Sequence, residues 1–428
     1  MPELLEQAIA LWRECPAELP EFGHTYAAGE QQARERELDL FLEEVQSELR
    51  SLPRSRGERE VVQGRISEAF IRLAQSALDL TPAHLDLLLA GGFSGIGTEL
   101  GRRARRLAFP ATVTDIIQAS RNAWTACGLQ ILLGAEMRLT PSIFAYSMLY
   151  PATDNYMDDP AVGREAKLGF SQRFGQRLAG HAVAAANDRE TNIWRLVALI
   201  EEEHSRAARP EVFASLLGIH HAQQESLRLM RRGATHEAVD ILGLSFRKGG
   251  ASVLADGVLA RASLSDAEAT FVYNWGVFLQ LADDLQDVRE DSGDGVLTLF
   301  SDIAGREPLD ALTNRTFHFA RRVMHQMAEL PTCAAAATTP RLRALLELIR
   351  GSATSVLIRS AGEAGEFFSR EYLAALETHS PFRFAFLNDR RQQMARRGAL
   401  MGRLFEAFLA GEDDEPVFPL LPSSLLPR

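Results

Sequence analysis

Two short acidic segments carry the residues whose types and spacing suit chemistry. TDNYMDDP, Thr153 to Pro160, sets Asp154, Asp158 and Asp159 beside a tyrosine and a methionine, next to a strongly apolar run. LQLADDLQDVRED, Leu279 to Asp291, does the same on another apolar segment. On a helix, Asp154 and Asp158 stand four apart on one face, with Asp159 one step round. Asp283 and Asp287 have the same spacing, Asp284 flanks them, and Gln280 lies one turn earlier. Carboxylates four apart repel, and more strongly when partly buried, so each cluster is unfavourable without a cation. Magnesium takes oxygen ligands, keeps several waters, and is held by one or two carboxylates together with substrate phosphates. Two such clusters facing each other make an incomplete metal site that a diphosphate completes. The candidate metal ligands are Asp154, Asp158, Asp159, Asp283, Asp284 and Asp287. Acidic runs are ordinarily solvated helix faces. Here FVYNWGVFLQLADDL gives the second cluster an apolar approach through Phe271, Trp275, Phe278 and Leu279, which a solvent-facing helix does not favour.

The elements that must position these groups are helices. LLEQAIALW, ELDLFLEEVQSEL, RISEAFIRLAQSALDL, WRLVALIEEE, LRALLELI and LFEAFLA place apolar residues three and four apart, whereas alternating strand patterns are scarce. LPRSRGER, GGFSGIG, ARP, RKGG and DSGDG punctuate the pattern as short connections. The pattern predicts an all-α fold, a large single-domain helical bundle around a central active-site cavity. Residues 1–60 read as a peripheral N-terminal helical extension and 61–410 as the main domain. Residues 411–428, rich in acid, proline and serine, read as a loosely held tail.

Composition excludes several function classes. With 46% hydrophobic and 24% charged residues among 428, the chain can bury a sizeable core. A net charge of −11 argues against a nucleic-acid partner, and an anionic ligand then needs a cation to mediate. Only Cys15, Cys127 and Cys333 are present, widely spaced, which suggests neither a disulfide framework nor a cysteine metal site and fits a reducing cytoplasm. MPELLEQAIALWREC carries acid inside its apolar pattern and reads as an ordinary amphipathic helix. The most apolar stretch, Ala123 to Ala152, is interrupted by Glu136, Arg138 and Pro141, so no transmembrane segment is expected.

GVFLQLADDLQDV resembles the second aspartate-rich motif of trans-prenyl diphosphate synthases in the class I isoprenoid (terpenoid) synthase superfamily, with Gly276, Gln280, Asp283, Asp284 and Asp287 in register. It also resembles the corresponding helix of squalene and phytoene synthases through Gln280, Asp287, Glu290 and Asp291. DNYMDDP, with Asn155 in second place, resembles the first motif of head-to-head synthases and of some bacterial terpene synthases. Between the two, GLSFRKGGASVLADG resembles the segment in which a lysine binds diphosphate near a helix break, here supplied by Gly249 and Gly250. That makes Lys248, with Arg247 and Gln280, the candidate diphosphate-binding groups. A basic residue complementing a helix C-terminus is the alternative reading of Lys248. By order and spacing the resemblance covers about Gly91 to Leu299. It implies Mg2+ as cofactor, three ions with diphosphate bound, a prenyl diphosphate as substrate, and compatibility with a homodimer.

The resemblance is incomplete. The isopentenyl diphosphate element of chain-elongating enzymes is missing, since GGFSGIGTELGRRARR offers only Arg102, Arg103, Arg105 and Arg106. AVGREAKLGF, with Arg164 and Lys167, stands where an arginine pair is expected. The expectation is therefore a terpene synthase in which Asp154, Asp158, Asp283 and Asp287 serve ionisation of an allylic diphosphate. Tyr146, Tyr150, Phe246, Trp275 and Phe278 are aromatic candidates for stabilising cations. A prenyltransferase, chain-elongating or head-to-head, is the alternative enzyme, and a non-catalytic partner subunit of the same fold the alternative non-enzyme. His220 and His221, in IHHAQQESLRL, lack the H-E-x-x-H order and read as hydrogen-bonded structural groups. NDRETNIWR, 187–195, reads as a chance likeness to a metal element.

Overall fold

The computed structural model describes residues 1–48, 55–89, 92–107, 109–229, 239–334 and 339–395, without the side chains of Arg56, Arg59, Asp158, Arg228, Met394 and Ala395. The fold is all-α, as the apolar periodicity predicts, with no extended strand among the described residues. In chain order the first helices are α1 (Pro2–Arg13), α2 (Ala28–Glu48), α3 (Arg56–Ala77), α4 (Pro82–Leu88), α5 (Phe93–Arg106) and α6 (Val113–Leu132). There follow α7 (Pro141–Asp158), α8 (Arg164–Leu178), α9 (Asp188–Glu203), α10 (Pro210–Ser226), α11 (Ile241–Arg261), α12 (Asp266–Gln286) and α13 (Val288–Asp294). The last are α14 (Leu299–Ile303), α15 (Asp310–Glu329), α16 (Pro331–Ala334), α17 (Pro340–Glu363), α18 (Arg370–Glu377) and α19 (Phe384–Ala395). No described helix is long and apolar enough to cross a membrane.

The chain forms two compact units, Met1–Phe22 with Asn122–Ala375, and Gly23–Arg121 with Leu376–Arg428. They part at other positions than the boundaries read at residues 60 and 410, and the tail 411–428 lies outside the described residues. In the second unit Leu73, Ala77 and Phe382 form a small core with Leu38, Phe41 and Phe386. Buried Arg34 ties α2 to the end of α3, donating to the Ala77 carbonyl at 2.7 Å and to Asp79 at 2.9 Å.

The first unit is built on α11 and α12. Asp240 caps α11 by accepting from Gly243 N–H at 2.9 Å, and Ser265 with Glu268 makes a capping box for α12. α11 packs between α10 and α12, and α12 is also covered by α15 and α17. The first helix belongs to this unit. Trp12 is 3% exposed and packs edge-on against Phe246 at 5.8 Å and Phe319 at 5.7 Å. That contact fixes residues 1–22 to the core of this unit, a link that local sequence pattern does not reveal.

Gly249 and Gly250 correct one expectation. They do not break the helix, since α11 runs uninterrupted through them. They allow close approach instead. A Cβ at Gly276 would stand 2.3 Å from the Gly249 carbonyl oxygen, and one at Gly249 would stand 2.6 Å from the Gly276 carbonyl oxygen. A Cβ at Gly250 would meet the Tyr273 ring at 2.3 Å. Backbone against backbone has no rotamer to yield, so glycine is required at this crossing. Gly276→Ala is accordingly expected to destabilise the protein by about 2–3 kcal/mol, the upper part of the overpacking range. Urea unfolding measures this, and a variant within about 0.5 kcal/mol of wild type would mean a looser crossing.

Candidate active site

The second acidic cluster is one stripe across the junction of α12 and α13. Asp287 caps α12, its N–H donating to the Asp283 carbonyl at 2.9 Å, and Asp291 N–H donates to the Asp287 carbonyl at 2.9 Å. The four-residue rhythm therefore continues through the junction and aligns Asp283, Asp287 and Asp291. Asp283 is exposed, whereas Asp287 and Asp291 are half-buried. Asp284 points the other way, 4% exposed, accepting from Gln280 Nε2 at 2.7 Å and from Ser245 Oγ at 3.0 Å. Gln280 thus holds Asp284, and Ser245 of α11 completes the bracket.

Lys248 faces this cluster from α11, close enough to act electrostatically on both Asp284 and Asp291. Burial pushes Asp284 up to about 6, against the hydrogen bonds from Gln280 and Ser245. Burial, then repulsion by Asp284, Asp287 and Asp283, pushes Asp291 up to about 7, with Lys248 opposing. Four carboxylates around one lysine remain over-charged. Arg247 turns aside into an ion pair with Glu225 of α10.

The first cluster ends α7. Thr140 caps this helix, with Pro141 in its first turn, and Pro151 removes one backbone donor within it. Asp154 is half-buried, and the Asp158 side chain lies outside the described residues. Asp159 leaves the helix as its C-cap and is held by Arg189 at 2.7 Å and by Ala161 N–H at 2.8 Å. The Ala161 amide and Arg189 keep its carboxyl below the usual range. A chain of contacts relates this helix end to α11. Tyr156 packs on Phe170 at 4.3 Å, Gln224 donates to Ser171 at 2.7 Å, and neighbouring Glu225 pairs with Arg247. One level lower, Tyr146 Oη donates to the Ser252 carbonyl at 3.1 Å. The end of α7 and the start of α11 therefore lie toward the same end of this unit.

Between these helices and α8 and α10 is a narrow cleft, partly open to solvent, with a cavity volume of about 40 Å³. Leu149, Phe174, Leu178, Leu216 and Ile219 give it apolar walls, and Asn122, Tyr146, Thr153, His220, Gln223 and Ser252 contribute its polar atoms. Thr153 directly precedes Asp154, and Ser252 lies one turn beyond Lys248. Of the other aromatic candidates, Tyr150 also lines the cleft. Phe246 belongs to the core with Trp12 and Phe319. Trp275 stacks on Phe278 at 5.2 Å.

Sequence reasoning missed the support beneath this cleft. Asp256, fully buried, accepts from Asn122 Nδ2 at 3.0 Å, and Asn122 also donates to Ser147 at 3.2 Å. Among the described residues the second Asp256 carboxyl oxygen has no hydrogen-bond partner. Asn122 and Asp256 are far apart in sequence, and no local pattern announces the pair. The segment 187–195 serves the fold, because Asn187 caps α9 and buried Glu190 pairs with Arg173 at 2.5 Å.

Among the described residues no group of three or more His, Cys, Asp and Glu is gathered so as to hold a metal ion. Comparison of the chain with protein-family models, with curated proteins and with solved structures finds no match.

Burial raises the Asp256 carboxyl well above its ordinary range, only partly opposed by Asn122. The folded protein then holds a proton that the unfolded chain releases near pH 4, so stability declines as pH rises from there toward the folded pKa. Asp256→Asn removes that dependence while keeping the Asn122 bond. Relative to wild type, the variant should gain up to about 1.4 kcal/mol per pH unit across this range. Urea unfolding at pH 5, 6 and 7 provides the check, and parallel curves for the two proteins would mean that Asp256 is ionised in the fold.

Proposed function

We propose that the chain is a magnesium-dependent class I terpene synthase that ionises an allylic prenyl diphosphate, releases diphosphate, and cyclises the carbocation or eliminates a proton from it. The observation that carries this reading is the junction of charge and cleft. Asp154 and Lys248 each stand within one helical turn of a residue lining an apolar cleft, and Lys248 also faces the Asp283, Asp287 and Asp291 stripe. Charge beside an apolar wall suits a molecule with an anionic head and a hydrocarbon tail, and the narrow cleft must widen to admit that tail.

The donor set fits magnesium in kind, because the acidic groups offer oxygen and no soft ligand. Asp154 and Asp158 from α7, with Asp283, Asp287 and Asp291 from α12 and α13, would hold it. Bound there, it supplies charge neutralisation for the departing diphosphate. Lys248 adds a fixed cation to the same end. Asp284 plays a different part from the other aspartates, for Gln280 and Ser245 engage its two oxygens and it positions the α12 face. Asp159, engaged by Arg189, closes the end of α7. Leu149, Phe174, Leu178, Leu216 and Ile219 would face the hydrocarbon tail, with Tyr146 and Tyr150 as the aromatic groups of the same lining.

The test is incubation of purified protein with magnesium and each prenyl diphosphate from about ten to thirty carbons, with and without isopentenyl diphosphate. Diphosphate with a terpene hydrocarbon or alcohol is expected, tolerant of manganese and abolished by chelator. A longer prenyl diphosphate would instead make the chain a prenyltransferase, and no turnover a partner subunit. Asp154→Asn and Asp287→Asn should each slow release by about 10²–10³, equivalent to about 3–4 kcal/mol at a developing charge. Their combination should lose much less than the product of the two, since the clusters act as one unit.

A further inference from the structure

The unit built on α11 and α12 carries a second, wider opening that shares no residue with the candidate active site. It is a groove of about 600 Å³, open to solvent, lined along α15 from His318 to Glu329 and, from the N-terminal segment, by Leu11 and Pro16. The lining positions on α15 recur three and four apart, so they form one face of the helix in two rows. One row is His318, Arg322 and Gln326, and the other is Arg321, His325 and Glu329.

The walls of the groove are held in place. Asn314 Nδ2 donates to the Ala17 carbonyl at 2.9 Å, and His318 Nε2 donates to the Glu18 carbonyl at 3.0 Å. Arg321 donates to the Glu21 carbonyl, and Phe22 packs edge-on against Phe317 at 5.0 Å. Residues 17–22 are therefore strapped along α15. Gln326 is oriented from the core, since its Oε1 accepts from Nδ2 of buried Asn274 at 3.0 Å. That bond leaves the Gln326 Nε2 group, a pure donor, for the groove.

The cations on this face are not spent on acids. Among the described residues Arg321 pairs with no carboxylate, and Arg322 reaches only Glu14, at 3.4 Å, with both side chains well exposed. Elsewhere Arg289 and Arg390 each grip a carboxylate, Glu366 and Asp39, with two nitrogens. Glu329 is the acid of the described lining, and it lies at one end, 3.3 Å from His325. A chain of net charge −11 thus keeps two guanidinium groups and an amide donor side by side on a preformed groove. Donors without acceptors call for an anionic ligand.

We propose that this groove binds an acidic peptide segment of a partner protein in extended form. Arg321 and Arg322 take one carboxylate, and Gln326 Nε2, one turn further along α15 and about 6 Å away, takes a second. In an extended chain, side chains two residues apart face the same side at a spacing of about 6.6 Å, which matches these two points. The intervening side chains turn the other way, and Leu11 and Pro16 give the groove its apolar contacts. Inorganic diphosphate, with its charge gathered on two adjoining phosphorus centres, covers the arginine point alone. The inference is independent of the reading given under Proposed function.

The experiment titrates the full chain into rhodamine-labelled Glu-Val-Glu-Val-Glu, with Gln-Val-Gln-Val-Gln as control, and reads fluorescence anisotropy. The acidic peptide should bind at least about tenfold more tightly than the control, and at least about tenfold more weakly when NaCl rises from about 0.05 M to about 0.5 M. Arg322→Gln removes a cation from an exposed position. Gln326→Glu keeps an acceptor for Asn274 while replacing the donor that faces the groove. Each should weaken binding at least about tenfold, with circular dichroism and melting temperature reporting that the variant is folded. No binding of the acidic peptide, equal binding of the two peptides, or wild-type affinity in either folded variant overturns the proposal. A wild-type dimer in sedimentation that Arg322→Gln dissociates makes a second copy the occupant, and overturns the assignment to a separate partner.

Discussion

The close crossing of α11 and α12 is the constraint on which the rest of the site depends. With glycine at 249 and 276 the two backbones meet directly, and Gly250 accepts the Tyr273 ring. One residue from that contact stands Lys248, and on the facing helix Gln280 and Asp284 follow within two turns. Helices held further apart would loosen the Ser245 to Asp284 bond and draw the lysine away from the aspartate stripe. Glycine costs about 0.5–1 kcal/mol in a helix interior relative to alanine. Here that cost is offset by the packing of two long helices whose shared face is largely buried.

The arrangement leaves electrostatic strain where a ligand is expected. Asp284 and Asp291 are both driven toward protonation, the first mainly by burial and the second by burial with three neighbouring carboxylates. Other buried acids are paired with arginine, Glu190 with Arg173 and Glu35 with Arg383, while Asp256 is held by the neutral Asn122 amide. The contrast separates acids that arginine ties into the fold from acids that repel one another around Lys248.

Much of this was legible in sequence because it depends on local period. Apolar residues three and four apart give the helices, and aspartates four apart give the stripe on α12 and α13. What was not legible depends on partners distant in the chain. Asp159 shares the spacing of a ligand, yet Arg189 engages it. Gly249 and Gly250 read as a break because glycine's freedom is local, while the need for close approach comes from Gly276. Asp256 finds Asn122, Trp12 finds Phe246 and Phe319, and His220 finds Phe174 and Gly175 only after the helices pack.

The central claim is that the aspartate stripe, Lys248 and the end of α7 form a site that magnesium and diphosphate complete together. Calorimetric titration of inorganic diphosphate into the protein, with and without saturating magnesium, tests it most directly. The account predicts negligible binding without the metal, because four carboxylates outweigh one lysine, and tight binding with it. Equal affinity in both titrations, or none in either, would contradict it.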